Sequence, residues 1–347
     1  MKHLLKAATL LFIVSGVAHA TQHLRGSDTM ALITRDLIQT LNLGSGNDPL
    51  VTPCPETDAL CYDGGGSGLG YSASCDARTT GQGMNPGSRP VNDGDQTCAH
   101  SHNLDFVVPQ CEIARDGIAV MVNTSGNRDL QKLNLTDIGN IFSCARNSMG
   151  TLIAQYWDQI PGSTNGHHLI NKYTRDGVSG TTDVFTGRTH GRVDGVVTNF
   201  PGVGSPPNLY YWRDNFPGCV NTVYGDGATQ TIGYLIANDP DAIGYAGLPA
   251  IQDGNYALRT CDNVNLACSQ DADFVGPSIS TIEDGTYYYA RPLFFARVQG
   301  FGGVDYTLPD DQATLYNAAC DPDASCDFLA PIVDRNNFFP SQRCYNP

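Results

Sequence analysis

The apolar positions of this chain change period several times. Met30, Ile33, Leu37, Ile38 and Leu41 recur at helical spacing, which predicts a helix beginning near residue 30. Ser27, Asp28 and Thr29 stand just before it, where N-cap residues belong. DFVVP (105–109) and GIAVMVN (117–123) are short, β-branched runs that predict strands. LTDIGNIF (135–142) predicts a short helix, and Thr181 to Phe185 opens another after a tight loop marked by Gly177 and Gly180. Ala242 to Tyr245 and the aromatic run Tyr287 to Val298 predict buried strands. Residues 42–66 are turn-rich, 91–105 are polar and loop-like, and 201–218 are rich in Pro and Gly. The tail from 318 shows no clear periodicity, and no internal repeat is present. Strands alternating with helices predict an α/β architecture.

The first 20 residues stand apart from this pattern. Lys2 and Lys6 precede the apolar stretch Ala7 to Val17, and Ala18-His19-Ala20 is a small-x-small cleavage sequence. This is the composition of a secretory signal peptide, so the mature chain is expected to begin at Thr21. No second long apolar run follows, so no membrane span is expected. All 12 cysteines lie beyond the cut, and an even count in an exported chain predicts disulfides. The short gaps suggest local pairs Cys54–Cys61, Cys261–Cys268 and Cys320–Cys326. The formal charge of −15 becomes −17 once Lys2 and Lys6 are removed, which argues against nucleic acid or an anionic membrane as partner.

Several enzyme templates fail. Gly177-Val178-Ser179-Gly180-Thr181 and Gly65-Gly66-Ser67-Gly68-Leu69 both lack the last glycine of a nucleophile elbow. No Walker A lysine follows a glycine loop. His100/His102 and His167/His168 lie in polar stretches and read as solvated, and Asp321, Asp323 and Asp327 lack the glycine and distal Glu of a calcium loop. No metal site, cofactor or catalytic residue is assigned.

What remains is a set of hydroxyl- and glycine-rich helix starts: Gly26-Ser27-Asp28-Thr29, Gly66-Ser67-Gly68 and Ser179-Gly180-Thr181. Helix N-terminal N–H groups carry partial positive charge, hydroxyls add donors, and glycine permits close backbone approach. Arg175 and Arg89 each offer a bidentate fork to a tetrahedral oxyanion. Any one segment alone is an ordinary cap or turn, so the case for anion capture rests on the set.

Taken in order, these segments resemble the periplasmic phosphate-binding proteins that feed phosphate ABC transporters. RGSDTM (25–30) looks like the first phosphate loop, GGGSG (64–68) is similar to the glycine-serine loop, and GSRP (87–90) resembles the loop that follows it. LNLTDIGNIFS (133–143) looks like a helix of the second domain, and RDGVSGTTDVF (175–185) resembles the Arg-x-x-x-Ser-Gly-Thr loop. AIGYAGL (242–248) and ARPLFF (290–295) are similar to later strands.

The resemblance implies two α/β lobes with a ligand cleft between them. Lobe I would comprise 21–110 and 259–347, and lobe II 111–258. It further implies that Ser27, Asp28, Thr29, Ser67, Gly68, Ser88, Arg89, Arg175, Ser179, Gly180 and Thr181 surround inorganic phosphate. It implies an exported, periplasmic or secreted monomer without enzymatic activity that delivers the ion to a membrane permease. One departure bears on specificity. Many members of this family place an Asp after the serine of the third loop, where it accepts the proton of hydrogen phosphate and repels sulfate; this chain has Arg89. Asp28 is the candidate replacement acceptor. The alternatives are a binder of another oxyanion such as sulfate, a secreted phosphatase-like hydrolase, and a disulfide-rich surface protein that keeps the fold without the ligand.

Overall fold

The structure, a computed structural model, describes residues 22–47, 54–55, 57–126, 129–142, 154–190, 220–225, 227–262, 267–321, 325–336 and 338–341. The signal peptide, the 201–218 stretch, Asp323, Cys144, Cys219 and Cys344 lie outside these residues.

The chain is a mixed α/β fold. Strand β1 (Gln22–Arg25) pairs in parallel with β2 (Leu60–Asp63), with α1 (Ala31–Thr40) between them. Next come α2 (Ser67–Cys75), α3 (Ala77–Thr80), β3 (Met84–Gly87), α4 (Asp93–Ser101) and β4 (Leu104–Phe106). The long strand β5 (Cys111–Asn123) then leads to β6 (Lys132–Asn134), α5 (Leu135–Phe142), β7 (Asn171–Arg175) and α6 (Gly180–His190). The order continues through β8 (Asn221–Val223), α7 (Ala228–Asn238), β9 (Ala242–Gly247), β10 (Asn255–Ala257), β11 (Arg259–Cys261) and α8 (Ile279–Glu283). It closes with β12 (Ala290–Gly300), α9 (Asp310–Cys320), α10 (Ser325–Arg335) and β13 (Phe339–Pro340). The principal sheet runs β3-β12-β5-β9-β7-β8.

Two large apolar clusters give the molecule its two lobes. Leu24, Ile33, Leu37, Leu60, Met84, Leu293, Phe295 and Leu315 fill the first. Ile118, Val120, Ile138, Phe142, Trp157, Phe185, Ile243 and Tyr245 fill the second. Strand β5 gives Ile113 and Ala114 to the first cluster and Ile118 and Val120 to the second, so it crosses between lobes. Strand β12 makes the return crossing, with Ala290 in the second cluster and Leu293 in the first. The two crossing strands pair antiparallel, with Arg291 directly opposite Asp116. Ile282, Tyr287 and Tyr289 pack in the second cluster and β11 pairs with β6, so the chain stays with lobe II past residue 259 and returns within β12.

Several stretches differ from the sequence reading, two of them most. Residues 93–101 form α4 rather than a loop. Apolar periodicity is missing because only Ala99 of this helix is buried; the helix is instead fixed by a capping box in which Asn92 accepts from the Asp95 N–H. The tail holds α9 and α10, packed against α1 and β5 through Leu315, Ala319, Leu329, Ile332 and Val333.

Cys54–Cys61 and Cys261–Cys268 are disulfides as the spacing suggested. The Cys320–Cys326 pairing is incorrect: Cys320 pairs with Cys111, 209 positions away, at a Cα separation of 5.8 Å. Helix α9 lies against the start of β5, so Cys320 fastens the tail to the crossing strand. Cys75 pairs with Cys98, joining α2 to α4. No helix among the described residues is long and apolar enough to cross a membrane.

Candidate functional site

Each predicted loop is held at the start of a helix or the end of a strand. Ser27 precedes a 3-10 turn, Asp28–Met30, that runs into α1. Its position is pinned by its own N–H to the Pro86 carbonyl (2.8 Å) and by the Tyr62 hydroxyl donating to its carbonyl (2.7 Å). Ser67 opens α2 behind Gly66, whose φ of +137° suits glycine alone. Ser88 follows β3, and Gly180 and Thr181 open α6.

These segments converge. The Ser27 hydroxyl donates to the Ser88 hydroxyl (2.8 Å), which lies 3.2 Å from the Ser67 hydroxyl. The Ser88 N–H also donates to Ser67 Oγ (2.9 Å). Lobe II closes over this trio. A Cβ placed on Gly180 would collide with Ser67 Oγ and stand 2.9 Å from Ser88 Oγ. The Gly68 N–H donates to the Val178 carbonyl (2.9 Å), and Thr29 and Thr181 join their hydroxyls at 3.0 Å. Ser27, Asp28, Thr29, Ser67, Ser88, Arg175, Ser179 and Thr181 are all buried.

Arg175, only 1 % exposed, ends β7. Its Nη1 donates to Asp28 (2.9 Å) and to the Thr229 hydroxyl (3.1 Å). Its Nε and Nη2 are buried and make no hydrogen bond. Buried donors of this kind are rarely left unsatisfied, because each loses its hydration without compensation. Asp28 is more heavily used. Besides Arg175, it accepts from the N–H groups of Gly227 (2.5 Å) and Thr229 (2.8 Å) at the start of α7.

Arg89 is placed differently. It forms a bidentate pair with Asp95 (2.5 and 3.1 Å), its Nε lies 2.8 Å from Asp183, and its plane stacks on Tyr71 at 4.5 Å. Burial works to lower its pKa, but the two carboxylates outweigh that and raise it. Its charge is neutralised in place.

Three contributors escaped the sequence reading: Asp116, Arg291 and the Gly227–Thr229 start of α7. Arg291 and Asp116 form a buried ion pair (2.7 Å) beneath the loops. Burial pushes the Asp116 carboxyl up, with Arg291 pulling against it, and the same burial lowers Arg291. Arg291 sits in an aromatic run and Asp116 in an apolar strand, and only the strand register brings them together. A third grouping, Cys75, Cys98 and His102, has metal-like proximity, but its sulfurs are joined as a disulfide and offer no thiolate.

The formal charges of the cage cancel. Arg175 stands against Asp28 and Arg291 against Asp116. What the cage presents is therefore a set of hydroxyls, N–H groups at helix starts and the unused side of one guanidinium, the features that suit an anion.

No family model matches the chain, and no curated protein matches its sequence. Solved structures do match. A high-affinity periplasmic phosphate-binding protein with bound phosphate aligns at a TM-score of 0.60 and 15% identity, over 94% of this chain and 91% of that one. An ABC-type phosphate transport receptor from Vibrio cholerae aligns at 0.55 and 16%, over 92% and 100%. A human phosphate binding apolipoprotein aligns at 0.56 and 14%, over 91% and 90%. The fold of this chain is thus the two-lobed α/β fold of phosphate-binding transport receptors.

Proposed function

We propose that this chain is an exported receptor that captures inorganic phosphate between its lobes and hands it to an ABC permease. The carrying observation is Arg175: a buried guanidinium with two unused donors, held at the meeting point of loops from both lobes. Ser27, Thr29, Ser67, Ser88, Ser179 and Thr181 supply hydroxyls, and Gly68 and Gly180 let the backbone approach. Asp28 orients Arg175, and Arg89 ties the third loop to α4 and α6. The signal-peptide sequence supports a periplasmic or secreted location, and the protein is read as a monomer. The hydroxyls of Ser27 and Ser67 bond another serine rather than a general base, which favours binding over turnover. Lobe I would span 21–110 and the chain from about 290, with lobe II between.

Titration calorimetry with phosphate tests this. Heat with a micromolar midpoint is expected, since several charge-assisted donors of about 1.5–3 kcal/mol each exceed ordering costs. No heat below millimolar phosphate would reject it.

A second reading, sulfate, has one observation in its favour. Three carboxylates at the cage, Asp28, Asp116 and Asp183, are each engaged by an arginine. An acceptor for a ligand proton is what separates hydrogen phosphate from sulfate. Competition between the two ions from pH 6 to 9 decides: sulfate displacing phosphate at equal concentration favours the second reading.

A further inference from the structure

Arg291 is the most completely used side chain in the cleft. A guanidinium has five N–H donors and no acceptor. Nε and Nη2 donate to Asp116 Oδ2 (3.2 and 2.7 Å), and Nη2 also to Thr29 Oγ1 (3.1 Å). Nη1 donates to Thr181 Oγ1 (3.0 Å) and to the Ser88 carbonyl (3.3 Å). Every donor has a taker, so Arg291 has none left for a ligand.

Its effect passes through the two threonines. Each hydroxyl has one proton, and both oxygens already receive a proton from Arg291. One threonine spends its proton on the other across their 3.0 Å bond. The second threonine cannot return a proton to Arg291, so its proton is directed elsewhere. The pair is therefore left with one outward proton, the polarity that an oxyanion requires. Thr29 comes from lobe I and Thr181 from lobe II, and Arg291 stands on the crossing strand β12 between them. Both contacts exist together only when the lobes meet.

We propose that Arg291 is a positioning residue with two effects: it fixes Thr29 and Thr181 as a donor pair facing the anion, and it latches the lobes together. The first effect rests on the phosphate reading; the second does not. Asp116, its direct cross-strand partner, holds the fork at the required angle. Lysine keeps the charge but lacks the planar fork that reaches a carboxylate and two hydroxyls at once.

The test uses the full chain in two arms. In the first, inorganic phosphate is titrated into wild type, Arg291→Gln, Arg291→Lys, Thr29→Val and Arg291→Gln/Thr29→Val. Arg291→Gln is expected to weaken binding about tenfold or more, Arg291→Lys to restore none of it, and the double variant to match the weaker single variant within about threefold. Full rescue by lysine, or losses that multiply in the double variant, would overturn the positioning role. In the second arm, small-angle scattering without phosphate compares radii of gyration. The Arg291→Gln protein is expected to be the larger, and equal radii would overturn the latch. If wild type gives no heat with phosphate, the phosphate reading and the donor-pair role fall together, and the scattering arm alone decides the latch. Should Arg291→Gln not fold, Arg291→Gln/Asp116→Asn, which removes both buried charges, replaces it in both arms.

Discussion

Arg175 and Asp28, 147 positions apart and on different lobes, meet at 2.9 Å with both side chains buried. The pair fixes the guanidinium from one side, and its Nε and Nη2 remain buried without a hydrogen bond. Substituting Arg175 with Gln is expected to weaken phosphate binding at least about a hundredfold, from the loss of two charge-assisted bonds. Calorimetry measures it, and a loss below tenfold would contradict the assignment. Thermal stability should fall as well, because Asp28 would remain buried without its cation.

Arg89 gives the opposing prediction. Its fork is consumed by Asp95 and its charge is further paired by Asp183, so Arg89→Ala should weaken binding by less than about tenfold. A loss equal to that of Arg175→Gln would mean that Arg89 reaches the anion after all.

Gly180 marks where lobe II touches the serine trio. Gly180→Ala puts a methyl group against Ser67 Oγ and Ser88 Oγ, both in a hydrogen-bonded cluster that cannot retreat cheaply. Phosphate affinity should drop, and the melting temperature of the ligand-free protein should fall as well, offset only in part by about 1 kcal/mol from alanine replacing glycine in the helix. Unchanged affinity would show that the lobes close less tightly than this geometry.

Lys172 supplies a pH signature of stability. It is buried on β7, and desolvation lowers its pKa from 10.5 to about 8, with the amine donating to the Ala154 carbonyl. Between about 8 and 10.5 the unfolded chain binds the proton and the folded chain releases it, so this group makes stability rise with pH across that window. Below 8 the cost of keeping the charged amine buried is fully present. Lys172→Met should therefore melt higher than wild type near pH 7, and its advantage should shrink towards pH 10. A constant difference would contradict the shift.

The Cys111–Cys320 bond is tested by peptide mapping under non-reducing conditions, which should recover that pair and Cys75–Cys98 but no Cys320–Cys326 peptide. Replacing Cys111 and Cys320 with Ser is expected to cost about 2–5 kcal/mol of stability, as for other native staples.

The loops that form the cage were legible because their chemistry is local: a hydroxyl beside a helix start keeps the same meaning wherever the chain goes. Most of strand Ala242–Gly247 and the second half of Cys111–Asn123, from Gly117, were legible from their apolar runs. Arg291 and Asp116 were not, since their meaning comes from strand register, and in sequence each is a charge interrupting a buried strand. Arg89 was visible as a fork, but its carboxylates at 95 and 183 come from a helix without apolar periodicity and from the other lobe. Proximity along the chain misled the pairing of Cys320, because α9 packs beside β5 and not beside its own successor alone.

The antiparallel ladder from Ala290 opposite Gly117 to Phe295 opposite Cys111 also limits how the halves can part. Two adjoining strands bend readily about a line across them without losing their rungs, whereas sliding or swivelling would break the register. A parting of the lobes about this ladder would follow one book-like opening, and its reversal would return every threonine and serine to the same partner. Capture by such a movement would need no search over relative orientations.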